Sequence, residues 1–224
     1  MKSKSADVAP KHTKTRPSTR KADGNGGSKS KSSARWAQII AVAIELFNEK
    51  GFAATSMQDV SDRVGLLKGS LYYYVRSKED LLFEILKDLH ERGEEIIRSI
   101  DFASDDPLNE LRQYLTEITI YSGRNADRLG IFLRDFQFVP TEHQREIIRE
   151  RDMYTTATAR LIERAIAVGQ VSSTVDPRTA ANAMLRAGSG THEWYRPSGT
   201  IPLRTIAEQT AEIQVRGIAA IGRD

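Results

Sequence analysis

The segment from residue 55 to residue 78, TSMQDVSDRVGLLKGSLYYYVRSK, constrains the fold of this chain more than any other stretch. Its first part, MQDVSDRV, has the composition of a helix and runs into Gly65, and a second helical run, KGSLYYYV, begins after two further residues. Two short helices that cross at a tight, glycine-containing turn form a helix-turn-helix, whose second helix enters the major groove of DNA. A small apolar set is available to hold the two helices together: Val60, Val64, Leu66 and Leu71.

The stretch from residue 34 to residue 82 resembles the DNA-binding domain of the TetR family of transcriptional repressors. The matching motifs are IIAVAIELFNEKGF, then Thr55, then VGLLKGSLYYYVRSKEDLL. The resemblance implies an all-α fold, with an N-terminal three-helix helix-turn-helix domain and a C-terminal helical bundle for ligand binding and dimerisation. One departure is Leu67, where the family commonly carries Ser or Thr as the N-cap. Leucine accepts no amide hydrogen bond, which costs the helix about 1 kcal/mol.

Eight residues form the predicted DNA-binding set. The resemblance implies that Thr55, Tyr72 and Lys78 contact phosphates. It also implies that Lys68, Gly69, Ser70 and Tyr73 face base edges or sugars. Lysine donates to guanine, and a serine hydroxyl donates or accepts, so the side-chain chemistry agrees with this role. Because three consecutive tyrosines do not share one side of a helix, Tyr74 is expected to pack against the first helix instead. The set is Thr55, Ser56, Lys68, Gly69, Ser70, Tyr72, Tyr73 and Lys78.

Charge and composition separate a tail from the rest of the chain. Residues 1–33 hold nine Lys or Arg and two Asp, so the net charge of +3 leaves −4 on residues 34–224. This segment lacks apolar periodicity and is predicted to be disordered. It is either a solvated tail or an additional phosphate-contacting arm. We therefore expect three parts: the basic tail (1–33), the DNA-binding domain (34–80) and the ligand-binding and dimerisation domain (81–224).

Several function classes are disfavoured by what the sequence lacks. The chain has no cysteine, so it has no disulfide framework and no thiolate metal site, and a reducing cytoplasm is the natural compartment. No apolar run approaches the roughly 18 residues of a membrane span, and the basic N-terminus lacks the apolar stretch of a signal peptide. The four histidines are scattered singly, without a zincin motif, P-loop or nucleophile elbow. We expect no catalytic residue, metal site, cofactor or membrane partner, and an enzyme built on a helical bundle is disfavoured.

Periodicity and capping signals predict helices throughout residues 34–221 and no strand. The predicted starts are Ser56, Ser77, Asp106 and Asp176, the last two followed by proline at the first helical position. Long helices are expected over residues 141–168 and 201–221. By resemblance, the dimer interface would be formed by residues 177–194 and 201–221. The small residues Ala187 to Gly190 suggest either close helix approach at that interface or room for a ligand.

An apolar, aromatic set in the bundle predicts a small-molecule site, although the same composition describes an ordinary core. Its members are Tyr114, Ile118, Tyr121, Phe132, Phe136 and Trp194. The stretch Trp194-Tyr195-Arg196-Pro197 resembles actinobacterial repressors of steroid catabolism that sense acyl-CoA, but those proteins carry bulky residues where this chain has its small run. Four arginines are available to meet the phosphates of a CoA: Arg149, Arg151, Arg186 and Arg196.

The resulting prediction is a homodimeric, ligand-responsive repressor that binds a palindromic double-stranded DNA operator. Its effector is expected to be a small hydrophobic metabolite, with acyl-CoA as the first hypothesis. The alternatives are a repressor that senses drugs or other hydrophobic compounds and a DNA-binding module without an effector.

Overall fold

The computed structural model describes residues 26–222, with side chains from residue 32 onward, and within this range the chain is helical without strands. Residues 1–25 of the predicted tail lie outside the described residues. The helices are α1 (Gly26–Lys50), α2 (Met57–Val64), α3 (Lys68–Leu71), α4 (Lys78–Arg98), α5 (Pro107–Arg124), α6 (Ala126–Asp135), a 3₁₀ turn (Phe136–Phe138), α7 (Thr141–Ala167), α8 (Pro177–Ser189), α9 (Thr191–Trp194) and α10 (Leu203–Ala220).

The predicted helix start signals are confirmed. Ser56, Ser77, Asp106 and Asp176 each accept a hydrogen bond from the amide three residues later, at 3.1, 3.0, 3.1 and 2.7 Å respectively. Each bond satisfies one of the amides that a helix leaves without an internal partner at its first turn. The starts of α2, α4, α5 and α8 are therefore encoded locally.

The first helix differs from the prediction because it begins at Gly26, eight residues before Ala34. The added turns, GGSKSKSS, were assigned to the tail because they carry no apolar stripe. Lysine and serine cost a helix only a few tenths of a kcal/mol each relative to alanine, whereas the two glycines, which cost about 1 kcal/mol each, stand at its very start. Extending a formed helix adds one hydrogen bond per residue. Propagation from the anchored part of α1 accounts for the earlier start.

Two hydrophobic cores organise the described residues. The first joins α1–α4 to α6 and to the start of α7, and includes the fully buried Phe47, Leu71, Leu82 and Ile131. The second joins α5 and the later part of α7 to α8 and α10 around residues such as Leu111 and Leu161. Each fully buried Leu or Ile side chain stabilises the fold by about 1.5–3 kcal/mol. Because α4 contributes to the first core, the helix-turn-helix packs directly on the helix that follows it.

Among the described residues, no helix is both long enough and apolar enough to cross a membrane.

Candidate nucleic-acid interface and ligand cavity

The second helix of the helix-turn-helix, α3, presents most of the predicted DNA-binding residues to solvent. Lys68, Gly69 and Ser70 are exposed, and Tyr73 is 85% exposed. Tyr74 packs against the first core, as predicted, and its ring meets that of Tyr73 edge-on at a centroid distance of 5.6 Å. The partly buried Tyr74 therefore supports the ring of the exposed Tyr73.

The angle between α2 and α3 is set by local contacts. Gly65 ends α2 with φ of +74°, a conformation that residues with a side chain rarely adopt. At the start of α2, Ser56 and Asp59 form a reciprocal capping box. Asp59 also accepts a hydrogen bond from Lys50 Nζ at 2.8 Å, and this bond, with those from Ser56, holds the pKa of Asp59 well below its usual range.

Thr55, predicted to contact phosphate, is placed inside the protein. Its side chain is 2% exposed, and its hydroxyl donates to the carbonyl oxygens of Gly51 (2.8 Å) and Leu46 (3.3 Å). The hydroxyl therefore closes the loop between α1 and α2 and does not face solvent, which corrects the expectation for this residue. Ser56 is exposed, but its hydroxyl already bonds Asp59 as the cap of α2.

Lys78 also differs from the prediction. Its Nζ donates to the carbonyl oxygens of Phe52 and Thr55, both at 2.8 Å, and of Ala53 at 3.3 Å. The same ammonium lies 4.3 Å from the centroid of the Phe52 ring. Because a lysine has three N–H donors, all of its donors are used by the α1–α2 loop. Lys78 joins the first residue of α4 to that loop, so the predicted phosphate contact is not supported by this geometry.

Leu67 precedes α3 and makes no side-chain capping bond, as the sequence indicated. Its side chain is 81% exposed. Tyr72 is 44% exposed and lies at the other end of the same short helix.

A cavity of about 620 Å³ lies among α4, α5, α6, α7 and α8. This volume is in the usual range for small-molecule sites. Its wall is mainly apolar, and the polar lining includes Asp152, Thr155, Asn182 and Ser189. The apolar lining residues are Leu89, Ile118, Leu129, Phe132, Leu133, Phe136 and Leu185, with Tyr121 and Tyr154.

The structure brings together four of the six residues predicted to bind a ligand: Ile118, Tyr121, Phe132 and Phe136. Tyr114 does not line the cavity because it is buried in the second core. Trp194 does not line it either, and is 58% exposed on α9. The periodicity of the sequence identified the apolar face of α5. It did not indicate which residues of that face line the cavity and which are buried in the core.

Three arginines line the cavity: Arg151, Arg178 and Arg186. Two of them were predicted, whereas Arg178 was missed because a single exposed arginine in the first turn of a helix carries no signal. Arg149 and Arg196 do not contribute, and Arg196 donates instead to the nearby carbonyls of Glu193 and Tyr195. Within residues 32–222, none of the three lining arginines has a carboxylate oxygen within 4.0 Å of its guanidinium.

The small residues at positions 187–190 lie in different environments within the single chain. A Cβ added at Gly188 would lie 2.8 Å from Thr119 Oγ1, so this glycine permits close approach of α8 to α5 within one chain. Ser189 lines the cavity, whereas Ala187 is exposed. Within this run, Gly188 therefore packs inside the bundle, Ser189 belongs to the cavity wall, and Ala187 lies on an exposed helix face.

Two tyrosines connect the cavity wall to α4. Tyr121 donates its hydroxyl to the carbonyl of Leu89, and Tyr154 donates to that of His90 at 3.2 Å. Burial raises the pKa of both phenols, to about 12 for Tyr121, so both keep their protons and act as donors. A Cβ at Gly93 would collide with the Tyr154 hydroxyl, so this glycine allows the tyrosine to reach α4.

These features define a class of protein: a helix-turn-helix DNA-binding regulator whose DNA-reading helices share a core with a body that contains a ligand-sized cavity. A family model described as "Bacterial regulatory proteins, tetR family" matches residues 39–85, and one described as "Tetracyclin repressor-like, C-terminal domain" matches residues 104–218. The chain belongs to the TetR family of transcriptional regulators. Proteins of this family bind DNA operators and small-molecule effectors, typically as homodimers.

Individual relatives support the same assignment. The chain is 27% identical over 195 residues to the HTH-type transcriptional repressor KstR2 of Rhodococcus jostii strain RHA1, which covers 84% of this chain and 93% of the relative. It is 34% identical to a TetR/AcrR-family regulator from Thermobifida fusca YX-ER1, with a TM-score of 0.64 over 82% of this chain and 98% of the other. AibR, solved with isovaleryl coenzyme A and operator DNA, shares the fold at 23% identity, with a TM-score of 0.69 over 82% and 97% of the two chains.

Proposed function

We propose that this chain is a homodimeric repressor that leaves its operator when an acyl-CoA enters the cavity. The repressor assignment is supported by the relative KstR2, which is named as a repressor. The acyl-CoA assignment is supported by the cavity itself and by AibR, which shares this fold and was solved with an acyl-CoA and operator DNA.

The observation that carries the ligand assignment is the pairing of an apolar wall with three arginines that lack a carboxylate partner among the described residues. The aromatic and aliphatic side chains offer burial to an acyl chain, which gains about 0.8 kcal/mol for each buried CH₂. Guanidinium groups bind phosphate oxygens in a planar, bidentate geometry. The cavity lining also contains the carboxylate of Asp152. Because three arginines outnumber this one carboxylate, the charge of the lining still favours an anion.

The route from ligand to DNA follows α4. Tyr121 and Tyr154 line the cavity and donate to α4 near its middle, while Lys78 ties the first residue of α4 to the α1–α2 loop. A ligand that moves either tyrosine therefore changes the forces on a helix that packs against the DNA-reading helices. The effector lowers DNA affinity to the extent that it prefers the conformation that fits DNA less well.

Twofold symmetry makes the release of DNA sensitive to a small movement of α4. Two recognition helices of a dimer must meet half-sites about 34–36 Å apart, one turn of DNA. A small rotation of α4 in each protomer changes this separation, and both half-sites lose their fit together.

The test begins with an operator enriched from a random DNA library by the purified protein. Release of that operator is then followed by fluorescence anisotropy with acyl-CoAs of several chain lengths, free CoA, free fatty acids and a hydrophobic cation. We expect acyl-CoAs to lower operator affinity by about 5–150-fold, the usual range of allosteric coupling. Free CoA should act much more weakly because it lacks the acyl chain that the apolar wall buries. Free fatty acids should act much more weakly because they lack the phosphates that the arginines bind.

Arginine variants supply the matched control. The double variant Arg178→Ala/Arg186→Ala should raise the acyl-CoA concentration needed for release by about tenfold or more, because each charge-assisted hydrogen bond contributes about 1.5–3 kcal/mol. Arg149→Ala, an exposed arginine that does not line the cavity, should respond like the wild type.

Each other outcome identifies an alternative. Release by the hydrophobic cation, without a response to any CoA thioester, would replace the acyl-CoA by a drug-like effector. Tight operator binding that no compound weakens would indicate a DNA-binding module without an effector.

A further inference from the structure

Leu67 is an exposed apolar side chain at the start of the second helix of the helix-turn-helix. It is 81% exposed, and the next three residues, Lys68, Gly69 and Ser70, are exposed as well. The recognition helix of a helix-turn-helix contacts base edges through its N-terminal residues. Leu67 is the N-cap residue of α3, and therefore lies at the end of the helix that approaches the bases.

The folded chain gains little from leucine at this position. The side chain forms no capping bond and leaves most of its surface in water. A serine here would satisfy an amide at the start of α3 and would expose less apolar surface. A single exposed leucine is common on protein surfaces. This one is distinguished by its place at the reading end of the recognition helix.

We propose that Leu67 reads the C5-methyl group of a thymine in each operator half-site, an inference that rests on the proposed DNA-binding function. Among the exposed side chains from residue 67 to residue 73, those of Lys68, Ser70, Tyr72 and Tyr73 carry a polar atom. Leu67 has none, so its attraction to DNA comes from apolar contact. The thymine methyl is the apolar group that a base edge presents in the major groove.

This assignment divides the reading of the half-site between two chemistries. Lys68 and Ser70 have donors and acceptors for the polar base edges. Leu67 adds discrimination at a neighbouring base pair, where cytosine lacks the methyl. The contact also removes the exposed leucine from water, so its free energy contributes to operator binding.

The test deletes the methyl group and the leucine separately and together. Each thymine in one half-site of the enriched operator is replaced in turn by deoxyuridine, which lacks only the C5-methyl. The wild type should lose about three- to tenfold in affinity at one thymine, the effect of one buried methyl contact. Leu67→Ser and Leu67→Ala should bind the thymine and uracil operators equally well.

Stability measurements separate lost contact from damaged folding. Leu67→Ser should melt at a higher temperature than the wild type because it restores an N-cap, while binding the thymine operator more weakly. Leu67→Ala, which adds no cap, should show the same loss of methyl discrimination. Ile148→Ala, which shortens an apolar side chain on the exposed surface of α7, should keep the wild-type response to uracil.

The two proposals fail differently. If the wild type enriches no sequence from the library, the DNA-binding function itself is refuted. If it enriches an operator, but every thymine-to-uracil change affects the wild type and both Leu67 variants equally, only the assignment to Leu67 is overturned.

Discussion

His90 is a buried ionisable residue in the wall of the cavity. It is 6% exposed, its ring meets Phe132 edge-on, and Nε2 has no hydrogen-bond partner within the described range. Burial, assisted by the nearby charge of Arg151, lowers the pKa of His90 to about 4. The imidazole is therefore neutral at pH 7. In the sequence, His90 is one of four isolated histidines. Its burial could not be predicted there because it depends on packing against α6 and α7.

The residue-scale prediction is a loss of stability in acid that depends on His90. In the unfolded chain this histidine titrates near 6.5, above its folded pKa of about 4. The unfolded state therefore binds the proton first, and stability falls as the pH drops below about 6.5. Between pH 7 and pH 5 the wild type should lose about 2 kcal/mol per chain from this group. Urea denaturation of wild type and His90→Leu at both pH values measures the difference.

Comparing the wild type with His90→Leu removes the contributions of other titrating groups from the measured change in unfolding free energy. Burial and the neighbouring Glu146 and Glu91 raise the pKa of Glu150 to about 7, so lowering the pH relieves the cost of its charge and acts in the opposite direction. Glu150 is present in both proteins, and its contribution cancels in the difference. Equal acid sensitivity of wild type and His90→Leu would show that another group is responsible.

At the scale of elements, α4 is joined to the DNA-reading part by Lys78. A lysine at the start of a helix is electrostatically unfavourable, because the free amides there favour an anion. The three carbonyl groups that accept from its ammonium offset this cost and fix the α1–α2 loop. We therefore expect the side chain that family resemblance assigned to a phosphate to act on DNA binding through the loop.

We predict that Lys78→Met weakens operator binding without changing its dependence on salt. Loss of the ammonium leaves three loop carbonyls without their donor, so the α1–α2 loop and the start of α2 lose their fixed position. Each lysine–phosphate contact would contribute about 0.9 to the slope of log K against log salt. An unchanged slope with reduced affinity and a lower Tm supports the loop role. A slope that falls by about two units, one for each protomer, would assign Lys78 to phosphates.

Lys68→Met provides the comparison, because it removes an exposed cation from α3 and breaks no hydrogen bond described in the structure. For Lys68→Met, the slope of log K against log salt should become less steep, while the Tm stays close to that of the wild type. Opposite patterns for the two lysines would separate loop positioning from direct contact.

At the scale of the whole molecule, α8 and α10 carry an exposed face that no described residue of the chain covers. Ile213 on α10 is 73% exposed, and Gly217, one turn further on, has open space where a Cβ would stand. On α8, Ala183 and Ala187 are exposed at the same spacing. Small residues and an isoleucine on adjacent helices suit close packing against a second copy. Leu185, which lies within the range 177–194 expected at the interface, lines the cavity.

We therefore predict that Ile213→Glu produces monomers, because it places a charge in an interface expected to bury more than about 1,000 Å². Val168→Glu, which replaces another exposed apolar residue just after α7, should remain dimeric. Light scattering coupled to size-exclusion chromatography distinguishes the two states. A dimer for both variants would move the interface away from α10.

The sequence by itself determined the features that depend on neighbours along the chain. Capping residues such as Ser56 and Asp106, the Gly65 turn and the missing cap at Leu67 act within four residues, so their effects were readable before any packing was known. The glycine turn between two short helical runs indicated the helix-turn-helix, and the resemblance of residues 34–82 to the TetR family indicated the family. Packing between distant segments decided the rest: the burial of Thr55, the carbonyl partners of Lys78, and the meeting of Phe132 with Arg178 at one cavity. The bond of Thr55 to Leu46, those of Lys78 and the shared cavity wall join residues 9 to 46 positions apart, and their partners are selected by shape and burial in three dimensions, which no local pattern encodes.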